Sequence, residues 1–284
     1  MQPVVRSLAY YPVKGCAGIE VDELALDDEG PRFDREWMVV DEQGVFVTQR
    51  DTPALARVGV ALDEEAGRLR LDFAGADAID VPLDAEERGA PHRPSRVWLD
   101  VLDAVDQGDA VARWLTARLE RPLRLVRKAR EARREAPPRF APWRAHTRFT
   151  DAFPLLVVGE GSLSALVERL GRPLEMRRFR PNVVVAGAPA HAEDEWRRIR
   201  VGDEHEGIEL GFAKLCSRCA VPTVDPSTGV RDRAGEPLAA LARYRTRELD
   251  HGDGQVERGV FFGANYVHAG PGRLRVGARV EVLA

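Results

Sequence analysis

The stretch EWMVVDEQGVFVTQR, Glu36 to Arg50, sets the reading of this chain. Two runs rich in valine, phenylalanine and threonine flank Glu42-Gln43-Gly44, the pattern of a β-hairpin with a glycine-containing turn. Upstream, Val4 to Tyr10 is a short β-like run that stops at Tyr11-Pro12. Downstream, ALARVGVAL (54–62) and GRLRLDFAG (67–75) alternate apolar and polar residues, as half-buried strands do. RVWLDVLDAVDQ, Arg96 to Gln107, continues the alternation. The period then changes. From Asp109 to Glu120, Val111, Trp114, Leu115 and Leu119 recur at helical spacing, with Asp109 where an N-cap belongs.

The second half repeats the theme. FPLLVVGEGSLSALVERLGRP, Phe153 to Pro173, reads as a strand, a glycine turn, a helix from about Ser162 to Leu170 and a glycine stop. RPNVVVAG (180–187) and WRRIRVGDEHEGIELGFAKLC (196–216) add β-runs, and GRLRVGARVEVLA (272–284) two short strands around a glycine. Many short strands with few helices give a mainly β, α+β class built on a closed or nearly closed barrel. Between them, RKAREARREAPPRFAPWRAHTR (127–148) is charged and then proline-rich, and is expected to be a solvated surface loop or domain junction.

Composition narrows the function. A net charge of −4 gives no global pull toward nucleic acid or anionic membrane. No uncharged apolar run approaches the roughly 18 residues that span a bilayer. An odd count of three cysteines argues against a disulfide framework, and a cytoplasmic setting with reduced thiols is expected. No glycine-rich Rossmann or P-loop pattern opens a helix.

Chemistry concentrates in KLCSRCAVPTVDPSTGV, Lys214 to Val230. Zinc needs four ligands, yet Cys16 is the one other cysteine, and His92, His146, His191, His205, His251 and His268 stand singly. A thioredoxin-like pair opens a helix, which Pro222 and Pro226 block. Two small buried hydrophobes are a further reading. Arg218, between the cysteines, favours a thiolate, and one thiolate can ligate a metal that a cofactor otherwise holds. Asp225 reads as a turn former. Elsewhere Lys14, Gly15, Arg35, Arg180, Asn182 and Asn265 sit at strand ends or turns. Singly each is a surface or turn residue; together they supply phosphate clamps and amide donors for a heterocycle edge.

These residues carry a resemblance. YYPVKGCAGIEVDE, DREWMVVDEQGVFVTQR, RFRPNVVV, AEDEW followed by VGD, CSRCAVPTVDPSTGV and FFGANYVHAGPGRLRVGA occur in an order that resembles the MOSC-domain family. Within it they are most similar to the mitochondrial amidoxime reducing components and their bacterial relatives. The resemblance implies an N-terminal β-barrel-like domain over 1–125 and a MOSC domain over 126–284. It implies a molybdenum–pterin cofactor (molybdenum-molybdopterin) between them. Cys219 would be the ligand to molybdenum and act catalytically, with Cys216 a neighbour. Lys14, Gly15, Arg35, Arg180, Asn182, Ser217, Arg218 and Asn265 would contact the cofactor. The animal proteins carry a serine where this chain has Gly15, and a hydroxyl-bearing pair where it has Ala152-Phe153, so those side-chain contacts are lost. The implied activity is reduction of N-hydroxylated small molecules such as amidoximes and hydroxylamines. Electrons would come from a separate flavin, haem or iron–sulfur protein, since three cysteines cannot build a four-thiolate cluster. A cofactor carrier or sulfur-transfer protein is the alternative. Neither nucleic acid nor membrane is an expected partner.

Overall fold

The computed structural model describes residues 2–250, 254 and 256–284; His251 lies outside the described residues. Among these, the largest sheet has nine strands. Its path runs Val280–Val282, Arg198–Val201, Ile208–Ser217, Val256–His268, Leu155–Gly159, Val183–Ala186, Val4–Tyr10 and Ile19–Val21, and Thr246–Asp250 pairs with the outer part of Val256–His268. The sheet closes on itself. Val4 bridges Arg279, and Val5 donates its N–H to Ala278 O at 2.8 Å while Val280 donates to Pro3 O at 2.8 Å. Closure removes the free edges that an open sheet would present.

Period-two alternation explains the two apolar layers. Leu155 and Val157 face the barrel interior with Val183, Val185, Phe261 and Tyr266. Leu156, Val158 and Phe262 face outward and pack with Leu166 and Leu241. Those last two belong to helices α2 (Glu160–Leu170) and α3 (Leu238–Arg245), which cover that face. Strands buried on both faces read as continuous apolar runs, which is why LLVVG and VVVA carry no alternation. Each of these side chains contributes about 1.5–3 kcal/mol by leaving water. Helix α2 begins two residues earlier than the sequence suggests and stops at Gly171, which takes φ 66°. Helix α3 has no counterpart among the elements expected from sequence.

A second body is built on a five-stranded sheet in the order His92–Val97, Asp100–Asp106, Arg124–Lys128, Trp37–Val40, Val13–Lys14, with a three-stranded meander over Val58–Asp63, Arg68–Phe73 and Ala76–Pro82. Helix α1 (Asp109–Leu119) seats Val111, Leu115 and Leu119 in their shared core. Two expectations are corrected here. Asp109 lies inside the first turn, where its carboxylate pairs with Arg124; the N-cap is Gly108, whose N–H bonds Asp106 Oδ1 instead. The 96–107 run is a hairpin rather than one strand, turning at Trp98-Leu99. The Glu36–Arg50 hairpin forms as read, with Gly44 at φ 76° and Val47 N–H bonding Val39 O, although its second arm makes only isolated bridges.

The chain crosses between the bodies early. Val5, Leu8, Leu24 and Leu26 belong to the barrel core, whereas Val13 and Cys16 belong to the other. The division expected at 125/126 falls inside the strand Arg124–Lys128. The 127–148 segment is only partly solvated: Arg130, Arg133, Arg139 and Arg144 are exposed, but other side chains are not. Lys128, Arg134, Ala136, Thr147 and Arg148 are buried. Its charges find partners: Lys128 Nζ reaches Glu29 at 3.1 Å, and Arg148 bridges Asp27 and Glu36. Its apolar residues Ala136, Phe140, Trp143 and Ala145 pack on Ala213 and Val267 of the barrel. Pairing with these half-buried carboxylates is what lets Lys128 and Arg148 leave water.

Candidate active site

A cavity of ≈ 250 Å³ opens where the two bodies meet. The five-stranded body contributes Lys14 and Gly15 from a strand end, Arg35 from the turn before Trp37, and Trp98 from its hairpin tip. The barrel contributes Arg180 and Asn182 from the approach to Val183–Ala186, Ser217, Arg218 and Cys219 from the end of Ile208–Ser217, and Asn265 from the strand between. All nine residues singled out from the sequence line this one cavity.

Local backbone aims them. Arg35 takes φ 48° and Arg180 φ 56°, left-handed conformations that cost an L-residue about 1–2 kcal/mol each. Their guanidinium groups lie against the Tyr11 ring, at 4.4 and 4.2 Å from its centroid. Arg35 Nη1 donates to both oxygens of buried Asp34 at 2.6 Å. Asn182 is 1% exposed: its Oδ1 accepts Leu156 N–H and its Nδ2 donates to Ala9 O. Arg218 donates from Nε to Phe262 O and from Nη1 to Phe179 O. Gly263 permits this approach, because a Cβ there would lie 2.9 Å from Val157 O and 3.4 Å from Arg218 Nη2. Gly15 turns the chain at φ 86°, and its carbonyl accepts Gln49 Nε2 at 2.6 Å.

Cations predominate on the lining, although Asp34, Asp225 and Glu257 behind it pair with Arg35, Arg178 and Lys214. Seven cationic side chains line the cavity against a single carboxylate, Asp151. Burial pulls Lys14 below the ordinary lysine range, against the attraction of Asp151. Burial and the neighbouring Arg35 bring Arg180 down to about 10. Arg180 Nη2, Arg218 Nη2 and Arg178 Nε are buried without an acceptor. A buried donor left unmet costs roughly 1–3 kcal/mol, so the cavity wall is complementary to an anionic, acceptor-rich group.

The thiols differ. Cys219 is exposed, Cys216 half-buried, and all three cysteines are free. Burial raises the Cys216 thiol above its usual range, and Cys16 is pushed up to about 12. No helix follows the pair; a 3₁₀ turn at Val221–Thr223 does. No cluster of three or more His, Cys, Asp or Glu capable of holding a metal occurs among the described residues. Cys216 and Cys219 both line the cavity, and Cys219 is the exposed one; an exposed thiol beside anion-binding groups fits a metal carried mainly by an anionic organic cofactor. Asp225 is the turn former expected: its Oδ1 accepts Ser227 N–H and Thr228 N–H, and its Oδ2 takes Arg178 at 2.6 Å.

Arg50, Trp98, Asp151, Arg178 and Lys214 also line the cavity and are absent from the residues singled out by sequence. Lys214 was findable, since it precedes Cys216 by two positions on one strand. Arg178 likewise precedes Arg180 by two. Nothing local marks Asp151 or Trp98.

Comparison with known proteins identifies the family. Residues 2–122 match the MOSC N-terminal beta barrel domain and residues 144–281 the MOSC domain. The chain is 33% identical over 288 residues to mitochondrial amidoxime-reducing component 1 of Homo sapiens, covering 98% of this chain and 82% of that one. It is 36% identical over 251 residues to mitochondrial amidoxime reducing component 2 of Rattus norvegicus, covering 85% and 72%. A molybdenum cofactor sulfurase of Danio rerio is 30% identical over 266 residues, covering 87% of this chain and 31% of that one. The two matched domains follow one another along the chain and together span most of it. The chain belongs to the MOSC-domain family that includes the mitochondrial amidoxime-reducing components, and its function is related to the molybdenum cofactor.

Proposed function

We propose that the protein is a molybdenum-dependent reductase of N-hydroxylated small molecules. The observation that carries this reading is the convergence of one exposed thiol, Cys219, with the unmet guanidinium donors of Arg180 and Arg218 in a single cavity. Cys219 is the ligand to the metal. Lys14, Arg35, Arg180 and Arg218 hold the anionic parts of the cofactor, and Asn182, Ser217, Asn265 and the Gly15 backbone complete its shell. When bound, the cofactor supplies the two-electron reduction of the N–O bond; the protein supplies position and field. Arg35 and Arg180 are fixed in advance by Asp34, Tyr11 and the Cys16 carbonyl, so little reorganisation is needed on binding. Gly15 lacks a side-chain hydroxyl, and Phe153 turns its ring into the apolar cluster with Ala136 and Val267. Contacts at these two places are therefore limited to backbone. Electrons come from a separate flavin, haem or iron–sulfur protein, and the setting is a reducing, cytoplasmic one.

The test is molybdenum per chain and turnover of benzamidoxime with reduced viologen, in wild type and Cys219→Ser. About one metal per chain with turnover, lost in the variant, is the expected result. Metal without turnover on any N-hydroxylated compound replaces this reading with a cofactor carrier. Absence of molybdenum after expression in a cofactor-competent host overturns both.

A further inference from the structure

Asp151 is the one carboxylate on a wall of seven cations, and its surroundings are built rather than incidental. Its Oδ1 accepts Lys14 Nζ at 2.6 Å and Trp98 Nε1 at 3.2 Å. Its Oδ2 has no donor among the described residues. The side chain is 74% exposed and is among those lining the cavity. Enclosure opposes ionisation, but the Lys14 ammonium and the bonds from Lys14 and Trp98 outweigh it and hold the carboxyl well below the usual range. The backbone beneath is clamped: Arg134 donates to Thr150 O at 2.8 Å and Asp151 O at 3.2 Å, and to Asp100 at 2.7 Å. Trp98 meets Asp151 from a left-handed conformation, φ 56°, that an aromatic residue seldom adopts.

We propose that Asp151 is the specificity-determining carboxylate of this cavity: its free Oδ2 accepts the N–H edge of an N-hydroxylated amidine or guanidine and holds the cation that reduction leaves behind. The proposal rests on the reductase reading above. In an amidoxime the N–O bond breaks, and two electrons from the donor protein, or from viologen in the assay, with two protons leave an amidine and water. The amidoxime is a weak base, uncharged near neutral pH; the amidine is a strong base and takes a third proton. Positive charge thus develops on the substrate in a cavity lined mainly by cations, of which Arg50, Arg180 and Arg218 have no carboxylate partner among the described residues. A fixed carboxylate at that place binds the charge as it forms, which favours the product-like transition state over the ground state. Pyridine N-oxides have no N–H edge to offer and gain nothing from Asp151.

The test uses the holoenzyme, with molybdenum per chain recorded for each variant. Benzamidinium and its neutral isostere benzamide are titrated calorimetrically into wild type, Asp151→Asn and Asp151→Glu. Asn keeps an acceptor for Lys14 and Trp98 but replaces Oδ2 with a donor. Benzamidinium binding is expected to weaken about three- to tenfold in Asp151→Asn, the loss of one charge-assisted hydrogen bond that water partly screens, with benzamide within about twofold. Asp151→Glu keeps the charge and binds benzamidinium more tightly than Asp151→Asn. In turnover, the ratio of kcat/KM for benzamidoxime to that for pyridine N-oxide falls by the same factor in Asp151→Asn. A ratio cancels any shared change in loading. Equal weakening of both titrants, no change in either, or the reverse order of the two variants overturns the proposal. A wild type that reduces no N-hydroxylated compound overturns the reductase reading instead, and the titration still decides whether Asp151 selects an amidinium.

Discussion

Truncating Arg134 to alanine tests whether the 127–148 segment is a structural clamp. The side chain is 7% exposed and reaches four acceptors: Arg148 O at 3.1 Å, Thr150 O at 2.8 Å, Asp151 O at 3.2 Å and Asp100 Oδ2 at 2.7 Å. The carboxylate contributes little, because the Asp100 side chain is 49% exposed and rehydrates. The three carbonyls lose a buried donor, at about 1–3 kcal/mol each if left unmet. Water entering the vacated space repays part of this. The expected loss is about 3–4 kcal/mol. At about 2–4 °C per kcal/mol for a chain somewhat smaller than this one, the melting temperature falls by roughly 6–16 °C. Asp100→Asn, which touches only the exposed partner, costs less than about 1 kcal/mol. Thermal and urea unfolding followed by tryptophan fluorescence measure both variants. Equal losses, or a loss below about 1 kcal/mol in Arg134→Ala, would refute the argument that the carbonyls rather than the ion pair carry the clamp.

Other outcomes follow from the same geometry. Gly263→Ala forces a Cβ to 2.7 Å from Val158 Cγ2 at φ 74° and crowds Arg218; it should destabilise by about 2–4 kcal/mol and lower molybdenum content, read by melting temperature and metal analysis. Arg180→Met removes the unmet Nη2 donor but also the bond from Nη1 to Cys16 O, so cofactor-free protein should lose about 1–3 kcal/mol while cofactor retention falls tenfold or more, read by melting temperature and by pterin fluorescence after release. The bond from Ser227, against some desolvation, and the Thr228 N–H hold Asp225 down to about 2. A carboxyl depressed on folding adds stability above its unfolded value near pH 4 and loses it as pH falls toward about 2. Stability measured across that window should therefore fall less steeply in Asp225→Asn than in wild type. Iodoacetamide on native protein should label Cys219 first and spare Cys16, which is fully buried with its thiol pushed up to about 12; peptide mapping that finds Cys16 labelled early would contradict the packing.

Much of the fold was legible because period and punctuation are local. The alternation in GRLRLDFAG, the glycine turn at Gly44 and the Gly171 stop each record a backbone preference within a few residues, and each appears where read. The 96–107 run shows the limit. Its alternation continues through Trp98-Leu99, so the turn there leaves no glycine or proline mark. The 127–148 segment misleads for another reason. Lys128, Arg134 and Arg148 look solvated like their neighbours until Asp27, Glu29, Glu36 and Asp100, all distant in sequence, are brought against them. Among site residues, the thiol and the strand-end cations announce themselves by type. Asp151 does not, because a carboxylate in a loop has no meaning until its neighbours are known.

The sequence by itself marked many of the strands, their apolar faces, and the residue types that can hold an anion or a soft metal, but not the strands Val256–His268 and Arg124–Lys128. Only the tertiary structure decided that these residues share one cavity. Arg180 donates to the carbonyl of Cys16 across 164 positions, and Lys14 pairs with Asp151 across 137. Val4 closes the barrel on Arg279, so the first strand of the chain completes the last domain. Such pairings follow from burying both faces of strands in a closed sheet. Hydrophobic burial is non-directional, so a strand's pattern states that it has a partner without saying which.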